Sequence, residues 1–330
     1  MKFQWLLLLV CLLSILGLRE GPWVPARAEK LHTGRSPGYE GVGQKEALPA
    51  LELVEAIPLH QLLPEVDPSL ALEASGVVWT GGALVVAFDN LKSVALLHPP
   101  WAVPAPANRL TGPAKERKSD FEGLAYDSVL QVFYLVRESK ARKKGHYARI
   151  HEWDGAFEEV GKDWVRLPFR GGNKGYEGLA FVRRQGKEWL LALRETAQGG
   201  PVDSTGGPGV IDVLTRRADE WEVHSSFQLP GSVRFLDYAG LDVQAGRMAV
   251  LSQASARVWL GRLHPQRWAV ADSGAVYTLP TGLDGRTRIC RAEGICWLNR
   301  STLAVVTDRN KRDPDPCRAL HQHLIILKLP

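Results

Sequence analysis

A chain of 330 residues, 45% of them hydrophobic, is long enough to bury one large core, and a formal net charge of +5 is too mild to point to a polyanionic partner. No lysine or arginine stripe alternates with exposed aromatics, as a strand-binding groove requires, so nucleic acid is excluded as a partner. The absence of a Gly-x-Ser-x-Gly elbow leaves a serine hydrolase without support.

In chain order, Met1 to Ala28 carries Lys2, an apolar run from Trp5 to Leu18, and Ala26-Arg27-Ala28, the small-x-small form that signal peptidase accepts. The expectation is a secretory signal over 1–28 and an extracytoplasmic mature chain, periplasmic or secreted. The apolar run is shorter than the roughly 20 residues a membrane span needs, so no span is expected after cleavage. Loss of Lys2, Arg19, Arg27 and Glu20 leaves 38 basic and 35 acidic residues, a charge of +3. Residues 29–50, rich in Gly, Pro and charge, read as a flexible leader, and 51–330 as one domain.

From Leu51 to Leu59 comes a first strand, and then a short phrase recurs five times. Its copies are Ser75-Gly76-Val77-Val78, Glu122-Gly123-Leu124-Ala125, Glu177-Gly178-Leu179-Ala180, Ala239-Gly240-Leu241-Asp242 and Glu293-Gly294-Ile295-Cys296. The glycines are 47, 55, 62 and 54 residues apart. That period suits a four-stranded blade. Each phrase is followed by a second apolar run ending in polar residues: Asp89-Asn90, Arg137-Glu138, Arg194-Glu195, Ser252-Gln253 and Asp308-Arg309.

The second repeat reads as strands over Phe121–Asp127, Gln131–Arg137, His146–Asp154 and Trp164–Phe169, and the third and fourth repeat the pattern. The chain ends in another strand, His323 to Leu329. The expected architecture is all-β, a β-propeller of five blades of four antiparallel strands, closed by pairing the N-terminal with the C-terminal strand. Six blades with one degenerate copy is the alternative. Thr196 to Pro208 is expected to be a long inter-strand loop, and Trp153, Trp164, Trp221, Trp259 and Trp268 to pack between blades. Of the cysteines left after cleavage, Cys290 and Cys317 are expected to pair and Cys296 to be a small buried hydrophobe.

In a propeller the start of each first strand and the end of each second strand share a face. That gathers Glu122, Glu177 and Glu293 around one channel mouth, with Asp89, Arg137, Glu138, Arg194, Glu195, Asp308 and Arg309 beside them. Convergent carboxylates repel, and a hard divalent ion relieves the repulsion, so Ca²⁺ held by Glu122, Glu177, Glu293, Asp89 and Asp308 is one reading. Arg137, Arg194 and Arg309 would stabilise developing negative charge. Glu138 and Glu195, with Lys143 and Lys144 of the basic loop Ser139–His146, would contact an anionic small molecule or ester substrate. The other reading is that the glutamates stitch neighbouring strands together.

The Glu-Gly-Leu-Ala phrases, with the passage from Glu293 through Thr307-Asp308-Arg309 to Cys317, resemble the secreted bacterial propellers grouped as phytase-like, esterase-like or SdiA-regulated-like proteins. Within that set the sequence is most similar to a domain of unknown function. The resemblance runs over most of Leu70–Pro330 and implies a β-propeller, an extracytoplasmic location and a calcium site at the channel. Ser75 and Ala239 depart from its acidic position. The functions that follow are a Ca²⁺-dependent hydrolase of phosphate or carboxylate esters, with a lactonase as a variant, or a non-catalytic propeller that binds a ligand or protein.

Overall fold

Two kinds of local signal build the sheets: alternating apolar runs that form strands, and tight turns that reverse them. The computed structural model describes residues 48–101, 104–113, 118–142, 144–169, 175–196, 206–282, 284–310 and 312–330. The expected signal segment, nearly all of the leader, Lys143 and most of the Thr196–Pro208 loop lie outside the described residues. Gln185-Gly186 and Ala245-Gly246 are two-residue hairpin turns with φ of 53° and 72°, and 50° and 76°. Positive φ at both positions matches the right-handed twist of the flanking strands.

Among the described residues the chain forms β1 (Glu52–Pro58), α1 (Leu59–Leu62), β2 (Ala74–Trp79), β3 (Leu84–Phe88), β4 (Val94–Leu97) and β5 (Arg109–Thr111). Next come β6 (Phe121–Asp127), β7 (Val132–Arg142), β8 (Gly145–Trp153) and β9 (Glu159–Phe169), then β10 (Tyr176–Arg184), β11 (Lys187–Arg194), β12 (Val210–Arg217) and β13 (Glu220–Gln228). The last part holds β14 (Gly240–Gln244), β15 (Arg247–Ser252), β16 (Arg257–Arg262), β17 (Ala275–Thr278), β18 (Ala292–Trp297), β19 (Thr302–Thr307), α2 (Asp315–Arg318) and β20 (His323–Lys328). The two helices are single turns, too short to leave a period of 3.6 in the sequence. β7 runs on to Arg142 and β8 starts at Gly145, so the basic segment expected as a loop is mostly a strand extension.

The strands pair as antiparallel meanders in the orders β2-β3-β4-β5 and β14-β15-β16-β17, while β6–β9 and β10–β13 join into one eight-stranded sheet. The join is a short parallel contact of β9 with β13, where Trp164 faces Glu220 and Val165 faces Trp221. The last sheet, β1-β20-β19-β18, takes its outer strand from the N-terminal side and its inner strands from the C-terminus. Leu51 N–H donates to Thr278 O and Thr278 N–H to Pro49 O, tying this closure to the preceding sheet.

The first strands β2, β6, β10, β14 and β18 meet in cyclic order at their glycines. A Cβ placed on Gly76 would lie 3.0 Å from Leu124 N, on Gly123 3.0 Å from Leu179 N, and on Gly178 2.6 Å from Leu241 N. On Gly240 it would lie 2.8 Å from Glu293 O, and on Gly294 2.9 Å from Val77 N, which returns to the first copy. Backbones this close leave no room for a side chain, which explains the recurring glycine. The ring encloses a channel, and the fold is a β-propeller. Trp153, Trp221 and Trp259 are fully buried in the cores, and the Cys290–Cys317 disulfide is formed with Cys296 buried and free. Among the described residues no helix is long and apolar enough to cross a membrane.

Candidate functional site

The acidic phrase residues reach the channel mouth through a repeated backbone irregularity. Between β2 and β3 the pairing passes from Ala74–Phe88 to Gly76–Ala87 and skips Ser75. In the same way it skips Glu122 (Phe121–Arg137, then Gly123–Val136), Glu177 (Tyr176–Arg194, then Gly178–Leu193) and Glu293 (Ala292–Thr307, then Gly294–Val306). Each skipped residue is a β-bulge, which breaks the alternation of faces and re-aims one side chain. The fourth copy has Ala239 there, and its strand pairs without a register shift.

Beyond each bulge the second strand takes one more step. The N–H groups of Asp89, Glu138, Glu195 and Asp308 donate to the carbonyls of Glu73, Asp120, Gly175 and Arg291, respectively. These four residues are therefore structural equivalents. They form a second acidic ring outside the first, and Gln253 also lines the mouth. The cavity has a volume of about 220 Å³ and is lined by nine carboxylates: Glu73, Asp89, Glu122, Glu138, Glu177, Glu195, Asp237, Glu293 and Asp308. No lysine or arginine lines it among the described residues.

Burial pushes the Glu122 carboxyl well above its ordinary range, and the charges of Glu177, Asp89, Glu293 and Glu138 push it further. Glu293 is raised in the same way, by burial first and then by Asp308, Glu177 and Asp237, against the pull of Arg291. Burial lifts Asp308 to about 6, against the Arg309 backbone N–H, with Glu73 and Asp89 adding to the rise. Burial also raises Asp89. Like charges held together in a desolvated cavity favour protons or cations. Asp308 Oδ1 and Ser75 Oγ are buried without a hydrogen-bond partner, and Ser75 is only 5% exposed.

These donors are all oxygens, which suits a hard cation such as Ca²⁺. Among the described residues no three Asp, Glu, His or Cys side chains stand close enough together to form a preformed shell. The ring is thus an open set of oxygen donors rather than a preformed shell, with two orphaned oxygens on its wall.

The sequence-predicted cations lie elsewhere. Arg137 and Arg194 pair with Phe121 and Tyr176, one residue before the outer acidic ring, and in a strand one residue reverses the face. Arg194 is held by Asp212 through two bonds of 2.8 Å, and Asp212 also accepts the Tyr176 hydroxyl at 2.7 Å. Arg137 bonds Asp120 at 2.7 Å, and Lys118 and Lys140 reach the same carboxylate at 3.1 and 3.0 Å. Burial works against Asp120, but these three cations bring its carboxyl down to about 2. Arg309 stands nearer the cavity, with Nε 3.6 Å from Glu73. Lys144 is exposed in the β7–β8 turn, and Lys143 lies outside the described residues. Of the remaining expected residues, Glu122, Glu177, Glu293, Asp89, Asp308, Glu138 and Glu195 come together around one cavity.

Glu73 joins this set without having been singled out by the sequence, and Asp237 enters as a lining residue. Both stand three positions before a phrase glycine, but so do Asp120, Gly175 and Arg291, which do not line the cavity, so aligning the copies does not by itself find them. Gln253 bridges the inner ring to a half-buried arginine: oriented to satisfy both sides of its amide, it donates to Glu293 Oε1 at 2.8 Å and accepts from Arg291 at 2.9 Å. Arg291 is fixed by two bonds to Asp313, of 2.8 and 2.7 Å. The Cys290–Cys317 disulfide ties together the two segments that carry this pair.

No protein-family model and no curated protein matches the chain. Solved structures similar to it include the PQQ-bound aldose sugar dehydrogenase of Streptomyces coelicolor, at 10% identity and a TM-score of 0.45, covering 86% of this chain and 99% of that one. Another is a protein of unknown function from Bacteroides caccae, at 11% identity and a TM-score of 0.45, covering 79% of each chain. A luciferin-regenerating enzyme is similar at 10% identity and a TM-score of 0.39, covering 83% of this chain and 94% of that one. Similarity at this level assigns no activity to the present chain.

Proposed function

We propose that the acidic mouth is a hard-cation site, best matched by Ca²⁺, on a secreted, five-bladed propeller of the phytase-like or esterase-like kind. The observation that carries this is the cavity lined by nine carboxylates and by no lysine or arginine. Glu122, Glu177 and Glu293 would close on the ion from the inner ring, with Asp89 and Asp308 from the outer one, since no three of these side chains stand close enough together without it. The count of five blades is supported by the five phrase glycines meeting in cyclic order. Export is supported by the signal-like start of the sequence and by the Cys290–Cys317 disulfide.

When bound, the ion supplies a Lewis acid able to polarise an ester oxygen. The hydrolase reading therefore depends on the ion, because Arg137 and Arg194 are engaged by Asp120 and Asp212 and do not line the cavity. Those same ion pairs favour a second reading, a non-catalytic propeller that binds its ligand through the cation site. Metal content of the protein as purified, with melting before and after chelation, tests the site. The expected result is about one calcium per chain, lost together with several degrees of melting temperature on chelation and absent from the Glu122→Gln, Glu177→Gln variant. Metal-free protein whose melting ignores both calcium and chelator would sink the proposal. With calcium present, phosphatase, esterase and lactonase substrates then separate the catalytic reading from the binding one.

A further inference from the structure

We propose that the opposite mouth of the channel is a second, independent binding site, for a small amine with an aromatic body. There the first strands end, and Trp79, Tyr126 and Phe181, each three residues after a phrase glycine, line a pocket of about 430 Å³. That volume falls in the range of small-molecule sites, which are mostly apolar with a few polar groups. The glycine waist, with about 10 Å³ of free space, separates it from the acidic mouth.

The three rings are half-buried, and each is held from behind. Trp79 meets Trp101 edge-on at 6.0 Å, Tyr126 stacks on Phe133 at 4.6 Å, and Phe181 lies parallel to Tyr134 at 5.7 Å. Rings fixed this way lose little freedom when a ligand settles on them.

The charges in the pocket leave one anion over. Arg183 bonds Asp127 at 2.5 Å and Glu188 at 3.2 Å. Asp242 accepts the backbone N–H of Trp297 at 2.7 Å and has no ion pair among the described residues. Arg247, whose charge reaches Asp242, bonds Gln244 and the Asn299 carbonyl and lies over the Trp297 ring. Burial accordingly lifts the Asp242 carboxyl to about 6. An ammonium group would meet this carboxylate while its apolar body lay against the rings, and both attractions select a monocation. A neutral analogue leaves the carboxylate unpaired, and an anionic one adds a like charge.

Calorimetric titration with phenethylamine, 2-phenylethanol and phenylacetate tests this on the full chain. The amine is expected to bind at least tenfold more tightly than the alcohol, with no heat from the acid. Asp242→Asn, whose amide oxygen still accepts the Trp297 N–H, should erase the preference for the amine. Tyr126→Leu should weaken amine and alcohol together. Glu122→Gln, Glu177→Gln at the other mouth should leave amine binding unchanged. Equal binding of amine and alcohol, no binding of either, or loss of amine binding in the Glu122/Glu177 variant but not in Asp242→Asn would each overturn the proposal.

Discussion

The two mouths of the channel are made from the same five strands, yet they differ in almost every physical respect. At the start of the first strands, bulges at Glu122, Glu177 and Glu293 bring carboxylates into one cavity, and a fourth brings the Ser75 hydroxyl to the same wall. At the far end the alternation is regular, and the third residue after the glycine delivers Trp79, Tyr126 and Phe181 to the rim. One repeated phrase thus carries a charged face and an aromatic face four residues apart, and the waist keeps them from sharing a ligand. The difference lies in the backbone as much as in residue type, because the bulge sends consecutive copies of Glu inward.

The waist holds both mouths, so breaking it should give the largest effect. Gly178→Ala would put a Cβ 2.6 Å from Leu241 N and 2.9 Å from Leu241 Cβ, and backbone cannot yield cheaply. A loss on the order of 3–5 kcal/mol is expected in denaturant melts, with both sites damaged. Gly231→Ala, where nothing lies within 4 Å, should change stability by no more than about 0.5 kcal/mol. Equal effects from the two substitutions would show that the close approach is not needed.

Next in size is the disulfide, which bears on one mouth alone. Cys290 and Cys317, 27 residues apart, brace Arg291 and Asp313 behind Glu293. Replacing both by serine should cost about 2–4 kcal/mol and weaken the proposed cation site, while the proposed amine binding at the far mouth is retained. Damage to both sites in proportion would argue against local bracing.

A third effect comes from pH in metal-free protein. Asp308, raised to about 6, binds its proton more tightly folded than unfolded, so its contribution is present below about 4 and lost as pH rises from there through about 6, and the raised Glu122 and Glu293 act in the same sense. Asp120 and Glu159, both brought down to about 2, act in the opposite sense: their contribution is present above about 4 and lost as pH falls toward 2. Without metal the protein should be most stable near about pH 4 to 5 and lose stability as pH rises from there, its melting temperature falling by a few degrees by about pH 7.5. A flat profile over that interval would mean the ring carries no uncompensated charge. A smaller loss is expected from Tyr126→Leu, which removes a partly exposed ring stacked on Phe133 and should cost about 1 kcal/mol, with no change at the acidic mouth.

Much of this was legible in the sequence because the repeat is strict. The strand Phe121–Asp127 lies where alternation puts it, the expected His146–Asp154 is found one residue earlier at Gly145–Trp153, and Glu122, Glu177 and Glu293 share a mouth as their spacing requires. The bulges were not legible, since inserting one unpaired residue leaves composition and period unchanged. Their position decides that Glu138 and Glu195, rather than Arg137 and Arg194, join Asp89 and Asp308. The arginines were attractive as sequence neighbours of the carboxylates, and only the pairing register turns them toward Asp120 and Asp212. The aromatic rim could have been found by extending the phrase alignment three residues past each glycine.

The central claim is that the acidic mouth holds a cation, and melting at about pH 7.5 and about pH 5, with chelator and then with calcium, tests it most directly. The account predicts that calcium raises the melting temperature at the higher pH and much less at the lower one, where protons already relieve the repulsion. It also predicts that Glu122→Gln, Glu177→Gln in chelator melts above the wild type at the higher pH and no longer responds to calcium. A variant that melts below the wild type in chelator, beside a wild type indifferent to calcium at both pH values, would show that these glutamates stitch the strands and bind no ion.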